Sequence, residues 1–166
     1  MIVAEHLVAH TMGGDRSLLV PERASWLWEH FRRGLSGVRS CLLMSNHPHI
    51  VAEPGNLRAF RGALNGFTRR FGVRFDIARP EPANSEAIAT RMAAYGLLNP
   101  VRAGIIDDPF TWPWSTARDL VGAVADPWTR RPRPRVFRRR PDLLSSVLGK
   151  LDISCEAPVP TELGAA

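Results

Sequence analysis

Two histidines one residue apart, inside an otherwise apolar stretch, constrain this chain more than any other feature. His47 and His49 follow the apolar run 41–44 and precede Ile50 and Val51. Apolar, partly β-branched residues on both sides predict a buried strand. Side chains two positions apart on a strand point to the same face, so the two imidazoles should project together from one surface of a sheet. Such a pair favours a divalent metal ion, although two ordinary histidines at a strand end give the same pattern.

Hydrophobic periodicity predicts strands and helices on both sides of this stretch. The predicted strands are 2–12, 38–44, 47–52 and 73–78, and the predicted helices are 21–34, 57–71, 85–98 and 113–120. The proline-rich segment 79–84 and residues 101–108 are predicted to be connections without strands or helices. The expected helix caps are Asn56 for the second helix and Asn84 or Ser85 for the third. This order of elements predicts an α+β fold, with helices packed on one face of an antiparallel sheet.

The length and composition predict one domain, residues 1–124, followed by an extension. A chain of 166 residues with 45% hydrophobic residues is large enough to bury its own core. It has no apolar run of membrane-spanning length and no basic-then-apolar start typical of a secretory signal. Cys41 and Cys155 are too few and too far apart for a disulfide framework, and Cys41 is expected to be buried. Together these features predict a cytoplasmic protein without membrane contact.

The positive charge of the chain belongs to one segment. Seven arginines lie within eleven residues, so the rest of the chain has a net charge of −1 although the total is +6. Alternating arginine and proline favour an extended, solvated chain, and residues 125–166 are predicted to be partly disordered. The segment either binds nucleic-acid phosphates or is a solvated tail. Its arginines are Arg130, Arg131, Arg133, Arg135, Arg138, Arg139 and Arg140.

The only tyrosine of the chain, Tyr95, lies on the third predicted helix, four residues before Asn99. Positions four apart share a helix face, so the phenol and the amide should stand side by side. If this helix packs across the sheet, the two imidazoles and the amide oxygen converge on one point, with the phenol beside it. A buried core tyrosine and an asparagine that caps a helix C-terminus are the simpler alternatives.

Three stretches of the chain together resemble one known protein family. Residues 42–50 (LLMSNHPHI) are similar to a strand with the pattern LMPNHxHLL, and residues 94–104 (AYGLLNPVRAG) to a segment with the pattern RYIxxNPVRAG. Pro113-Trp114-Ser115 resembles the turn that follows, and residues 6–19 loosely resemble the first strand and turn. The family is the single-tyrosine HUH transposases of small insertion sequences, and the closer branch is the REP-associated tyrosine transposases. The resemblance spans residues 6–122.

The resemblance implies a ferredoxin-like HUH fold and an enzyme that cleaves and rejoins single-stranded DNA. It implies that His47, His49 and Asn99 bind Mg²⁺ or Mn²⁺ and that Tyr95 attacks the scissile phosphate, which gives a 5′-phosphotyrosine intermediate. Arg102, in the same motif, is a candidate phosphate contact, or simply a turn residue. The implied partner is single-stranded or hairpin DNA recognised by sequence or by hairpin shape. A monomer and a homodimer are both compatible with the sequence.

Two departures from the family pattern bear on activity. Pro48 replaces a bulky apolar residue and removes one backbone donor from the strand. The segment 72–84 is short, and only Arg74-Phe75 resembles the aromatic-rich stretch of the family. The alternative function is therefore a domesticated protein that binds DNA hairpins with weak or no catalysis. A third hypothesis is a metal-dependent phosphodiesterase without a covalent step, and a trapped protein–DNA adduct distinguishes the three.

Overall fold

The computed structural model describes residues 1–120 and Trp128. In this part of the chain the strands are β1 (Ala4–Thr11), β2 (Val38–Leu43), β3 (Pro48–Ala52), β4 (Phe75–Ile77) and β5 (Glu81–Ala83). The helices are α1 (Pro21–Gly34), α2 (Leu57–Phe71), α3 (Glu86–Leu97), α4 (Asn99–Arg102) and α5 (Ala117–Leu120). No helix among the described residues is long and apolar enough to cross a membrane.

The five strands form an antiparallel sheet with the order β2-β3-β1-β4. β5 pairs with residues 4–6 of β1, whereas β4 pairs with residues 9–11, so the two short strands share one edge of β1. The elements from β1 to β4 follow the order βαββαβ, which with this strand order is the ferredoxin-like arrangement. The predicted α+β fold with an antiparallel sheet is confirmed.

Strand alternation separates the two faces of the sheet. Leu7 and Ile50 belong to the main core with α1 and α2, whereas Val51 packs with α3 residues in a second, smaller core. The main core contains the fully buried rings of Phe31 and Phe60, which stack with centroids 5.3 Å apart. The expected packing of helices on one face therefore holds for α1 and α2. It is wrong for α3, which packs on the opposite face.

Two predicted connections and one predicted helix differ from the structure. Residues 81–83 are a strand rather than a loop, because they pair with β1, a contact that local sequence does not reveal. Residues 99–102 form the short helix α4 within a segment expected to be a turn. The helix expected at 113–120 is confined to 117–120. The residues before it run along the outer edge of β2, where Ser115 forms a bridge with Leu42.

Asn56 is the N-cap residue of α2, as predicted, but its side chain makes no capping hydrogen bond. Its Oδ1 accepts a hydrogen bond from the Ser36 N–H at 2.9 Å, and its Nδ2 donates to the carbonyl oxygens of Ser36 at 2.9 Å and Glu53 at 2.7 Å. The buried amide thus joins the loops before β2 and α2. The cap predicted for the third helix is confirmed for Ser85, whose Oγ accepts from the Ile88 N–H at 3.3 Å.

The edge of β2 is closed by Thr116, which is completely buried. Its Oγ1 accepts from the N–H of Cys41 at 2.9 Å and its own N–H donates to the carbonyl oxygen of Cys41 at 2.9 Å. Cys41 is buried as predicted, and burial raises the pKa of its thiol well above the ordinary value.

Thr116→Val should lower the free energy of unfolding by about 1–3 kcal/mol, because it leaves the buried N–H of Cys41 without its acceptor. Thr116→Ser keeps the hydroxyl and removes only a methyl group, so it should cost less. Urea unfolding of the two variants measures the difference. Equal losses would mean that packing, and not the hydrogen bond, sets the contribution of this residue.

Candidate functional site

Four histidines lie together on the face of the sheet that α3 covers. β1 contributes His6 and His10, β3 contributes His49, and His47 immediately precedes β3. The register pairs Val8 with His49, so the two β1 histidines flank that position diagonally. The ring centroids of His6 and His49 are 5.2 Å apart. The ring of His47 lies 4.8 Å from that of His10 and 4.8 Å from that of His49.

Pro48 is the first residue of β3, and a strand tolerates the missing N–H of proline at its first position. The hairpin is closed just before it, where the N–H of Met44 donates to the carbonyl oxygen of His47 at 2.9 Å. The two imidazoles predicted from the His-x-His pattern are therefore neighbours in spite of the proline between them.

Hydrogen bonds fix which nitrogen each imidazole presents. His47 Nδ1 lies 2.7 Å from Asn46 Oδ1, an acceptor, so Nδ1 carries the proton and Nε2 keeps its lone pair. His49 Nδ1 lies 3.0 Å from His6 Nε2, and His49 Nε2 lies 2.7 Å from Asn99 Nδ2. With the amide nitrogen facing the ring, this last contact is satisfied when Nε2 of His49 presents a lone pair.

α4 brings Asn99, another predicted site residue, to the histidines, and α3 carries Tyr95 next to Gly96. Gly96 is buried, and a Cβ there would lie 3.6 Å from His49 Cβ, so the end of α3 passes directly over that residue. Tyr95 is 48% exposed, which excludes the core-tyrosine alternative. The side chain of Asn99 contacts His49 instead of capping α3. The Arg102 guanidinium carbon lies 4.1 Å from the centroid of the Tyr95 ring, a cation–π contact.

The donor set fits the divalent metal ion that the family resemblance implies. His47 and His49 each direct Nε2 away from the hydrogen bond that holds Nδ1, as metal-binding histidines do. Rotation of the Asn99 amide by 180° would place an oxygen where its nitrogen now faces His49. Within the described part of the chain, no three His, Cys, Asp or Glu side chains form a metal-binding group. A metal ion bound by His47 and His49 would take the Asn99 amide oxygen as a third protein ligand.

Burial and repulsion from neighbouring histidines lower the pKa values of His47 and His49, so both imidazoles are neutral at pH 7. Burial, with a further contribution from His10, lowers the pKa of His47 to about 4. Burial, followed by the neighbouring histidines, lowers the pKa of His49 to about 3. Burial also lowers the pKa of His6, although Glu81 opposes this effect. At neutral pH the lone pairs of His47 and His49 are available without loss of a proton.

The metal-free protein should lose stability between pH 6.5 and about 4. The unfolded chain binds protons at His47 and His49 below about pH 6.5, whereas the folded chain does not until about pH 4 and 3. Their contribution to stability is complete above pH 6.5 and falls with pH by at most about 1.4 kcal/mol per unit for each histidine. Urea unfolding at pH 7.5 to 5 measures this slope. The double variant His47→Asn/His49→Asn should have a flatter slope, and an unchanged slope would assign the effect to other groups.

Several functional candidates were not predicted from the sequence: His6, His10, Asn46 and Glu81. His6 and His10 are four residues apart on a predicted strand, so a shared face could have been inferred, but the pairing of that strand with residues 47–52 could not. The fifth histidine, His30, lies on α1 and stacks on Trp26 with centroids 3.4 Å apart. The seven arginines from 130 to 140 and the predicted domain boundary near residue 124 lie outside the described residues. Trp128, within the predicted extension, packs edge-on against Trp28 with centroids 5.1 Å apart.

Comparison with solved structures identifies one of the same fold. It is the structure of a REP-associated tyrosine transposase bound to a REP hairpin, with a TM-score of 0.59 and 16% sequence identity. The match covers 78% of this chain and 86% of the other. At this identity the comparison establishes a shared fold. No known family model matches the chain, and no curated protein does.

Proposed function

We propose that this chain is a transposase that binds DNA hairpins and cleaves and rejoins single-stranded DNA through Tyr95. The observation that carries the proposal is the contact of His49 with Asn99, which lies four residues after the exposed Tyr95. β3 and α4 bring His49 and Asn99 together, although they lie 50 positions apart in the chain. A second observation that supports the proposal is the fold that the chain shares with a hairpin-bound transposase.

The proposed chemistry is the one that the family resemblance implies, carried by these side chains. The phenol oxygen of Tyr95 attacks the phosphorus of a DNA strand and loses its proton to solvent. The bond between phosphorus and the 3′ oxygen breaks, and that oxygen leaves with the electron pair and takes up a proton. The products are a 5′-phosphotyrosyl bond and a free 3′-hydroxyl, and attack by a 3′-hydroxyl reverses the step without ATP. A divalent ion held by His47, His49 and Asn99 would polarise the scissile phosphate as a Lewis acid.

Arg102 is suited to hold the phosphate beside the nucleophile. Its guanidinium lies over the Tyr95 ring, and both side chains are exposed, so an anionic oxygen can reach the guanidinium and the phenol together. Replacement of this residue would test whether it is a phosphate contact or only a turn residue.

The helical layer on the other face, formed by α1 and α2, offers DNA a positively charged surface. α1 and α2 carry seven arginines and two glutamates, whereas the remainder of residues 1–120 carries seven arginines and nine carboxylates. Positive charge in the described part of the chain is therefore concentrated on this layer, as expected for a polyanionic partner. The segment from Arg130 to Arg140 is proposed to add further phosphate contacts.

A trapping experiment tests the proposal. The protein is incubated with a single-stranded oligonucleotide that contains a hairpin and carries a label on the 3′ side, with Mg²⁺ or Mn²⁺, and is analysed on a denaturing gel. We expect a labelled protein band and a released fragment with a free 3′-hydroxyl. Hairpin binding without an adduct would favour the domesticated binding protein. Cleavage without an adduct would favour a phosphodiesterase.

A further inference from the structure

We propose that His6 is a positioning residue that, together with Glu81, fixes the tautomer and orientation of His49. Its role is to keep the Nε2 lone pair of His49 directed toward Asn99, where the proposed metal would bind. The purpose of this arrangement rests on the proposed function, but the tautomer itself is a property of the metal-free protein.

The contacts form one continuous chain across the sheet. Asn99 Nδ2 lies 2.7 Å from His49 Nε2, and His49 Nδ1 lies 3.0 Å from His6 Nε2. At the far end, Glu81 Oε2 lies 3.7 Å from His6 Nδ1. The register of β5 on β1 places Glu81 directly opposite His6. β5, the strand that sequence periodicity did not predict, thus supplies the carboxylate at the end of this series of contacts.

A proton on Nδ1 of His6, the nitrogen that faces Glu81, gives all the hydrogen bonds in this series one direction. Glu81 accepts only, so it favours a proton on Nδ1 of His6, although 3.7 Å is long for a direct hydrogen bond. His6 Nε2 is then an acceptor, and His49 must donate to it from Nδ1. Nε2 of His49 is left unprotonated and accepts from the Asn99 amide. Every donor in this chain faces an acceptor.

The opposite tautomer would disable the site. A proton on Nε2 of His6 would turn the Nδ1 lone pair of that ring toward the carboxylate and make His49 Nδ1 an acceptor. The proton of His49 would then lie on Nε2, and a protonated ring nitrogen cannot bind a metal. The His6 side chain is only 11% exposed. Water therefore has little access to this position and does not readily replace His6 as the partner of His49 Nδ1.

The test begins with the metal-free protein. Nitrogen-15 imidazole spectra at pH 7 should show the wild-type His49 with a proton on Nδ1 and none on Nε2. His6→Phe keeps a planar ring but removes the acceptor, so the His49 signals should shift toward a mixture of tautomers. His6→Gln places an amide oxygen near the same position and should restore the wild-type tautomer at least in part. His30→Phe is the matched control, because it is the same substitution on α1, which packs on the opposite face of the sheet.

Mn²⁺ affinity by calorimetry gives the second readout. His6→Phe should weaken binding about 10- to 100-fold, as is usual when a residue that orients a metal ligand is lost. His6→Gln and Glu81→Gln should each have a smaller effect, and His30→Phe should have none. Glu81 is exposed, so its variant tests the chain even if His6→Phe does not fold.

The outcomes separate this proposal from the proposed function. A wild-type His49 with its proton on Nε2, or a His6→Phe variant with the wild-type tautomer and wild-type Mn²⁺ affinity, would overturn the positioning role. A wild-type protein that binds no Mn²⁺ would count against the metal-dependent function, while the imidazole spectra would still decide the role of His6.

Discussion

Tyr95→Phe is expected to remove the covalent protein–DNA adduct and to leave hairpin binding intact. Loss of a catalytic nucleophile lowers turnover by about a thousandfold or more, which places the adduct below detection on a gel. Tyr95 is the only tyrosine in the chain, so no second phenol can replace it. The substitution removes one oxygen from a side chain that is 48% exposed, so the fold should not change. The ring that Arg102 covers is also retained.

The measurement compares adduct yield and hairpin affinity for the same two proteins. Adduct yield is read from a denaturing gel, and affinity from a binding titration at one fixed salt concentration, because phosphate contacts depend on salt. A matched melting temperature confirms that the variant is folded. Undiminished adduct in the variant would mean that another side chain is the nucleophile.

Local patterns were sufficient to predict most of the elements. The predicted bounds of α1 and α2 agree with the structure because apolar spacing, the proline at the start of α1 and the glycine after α2 are all local signals. The neighbouring imidazoles at 47 and 49 were predicted for the same reason. The family motif in residues 94–104 predicted that Asn99 and Tyr95 lie beside these two histidines. The structure confirms the contact between Asn99 and His49.

Features that depend on pairing between distant segments could not be predicted. β5 has three residues, one of them proline, and becomes a strand only because β1 offers a free edge. Glu81 reaches His6 through that pairing. The two histidines of β1 join the site only because Val8 lies opposite His49 in the register. A shift of one residue would have turned them to the other face.

His49→Ala and His47→Ala are each expected to weaken Mn²⁺ binding by more than the roughly 10- to 100-fold typical of a residue outside the ligand set. Each change removes one of the three proposed ligands, and the described part of the chain has no other group of His, Cys, Asp or Glu side chains suited to the ion. Both variants should also lose the covalent adduct. His30→Ala is the matched control, because it is the same substitution on α1, which packs on the opposite face of the sheet. Calorimetry with Mn²⁺ gives the affinities, and unchanged values in both site variants would assign the two histidines a structural role.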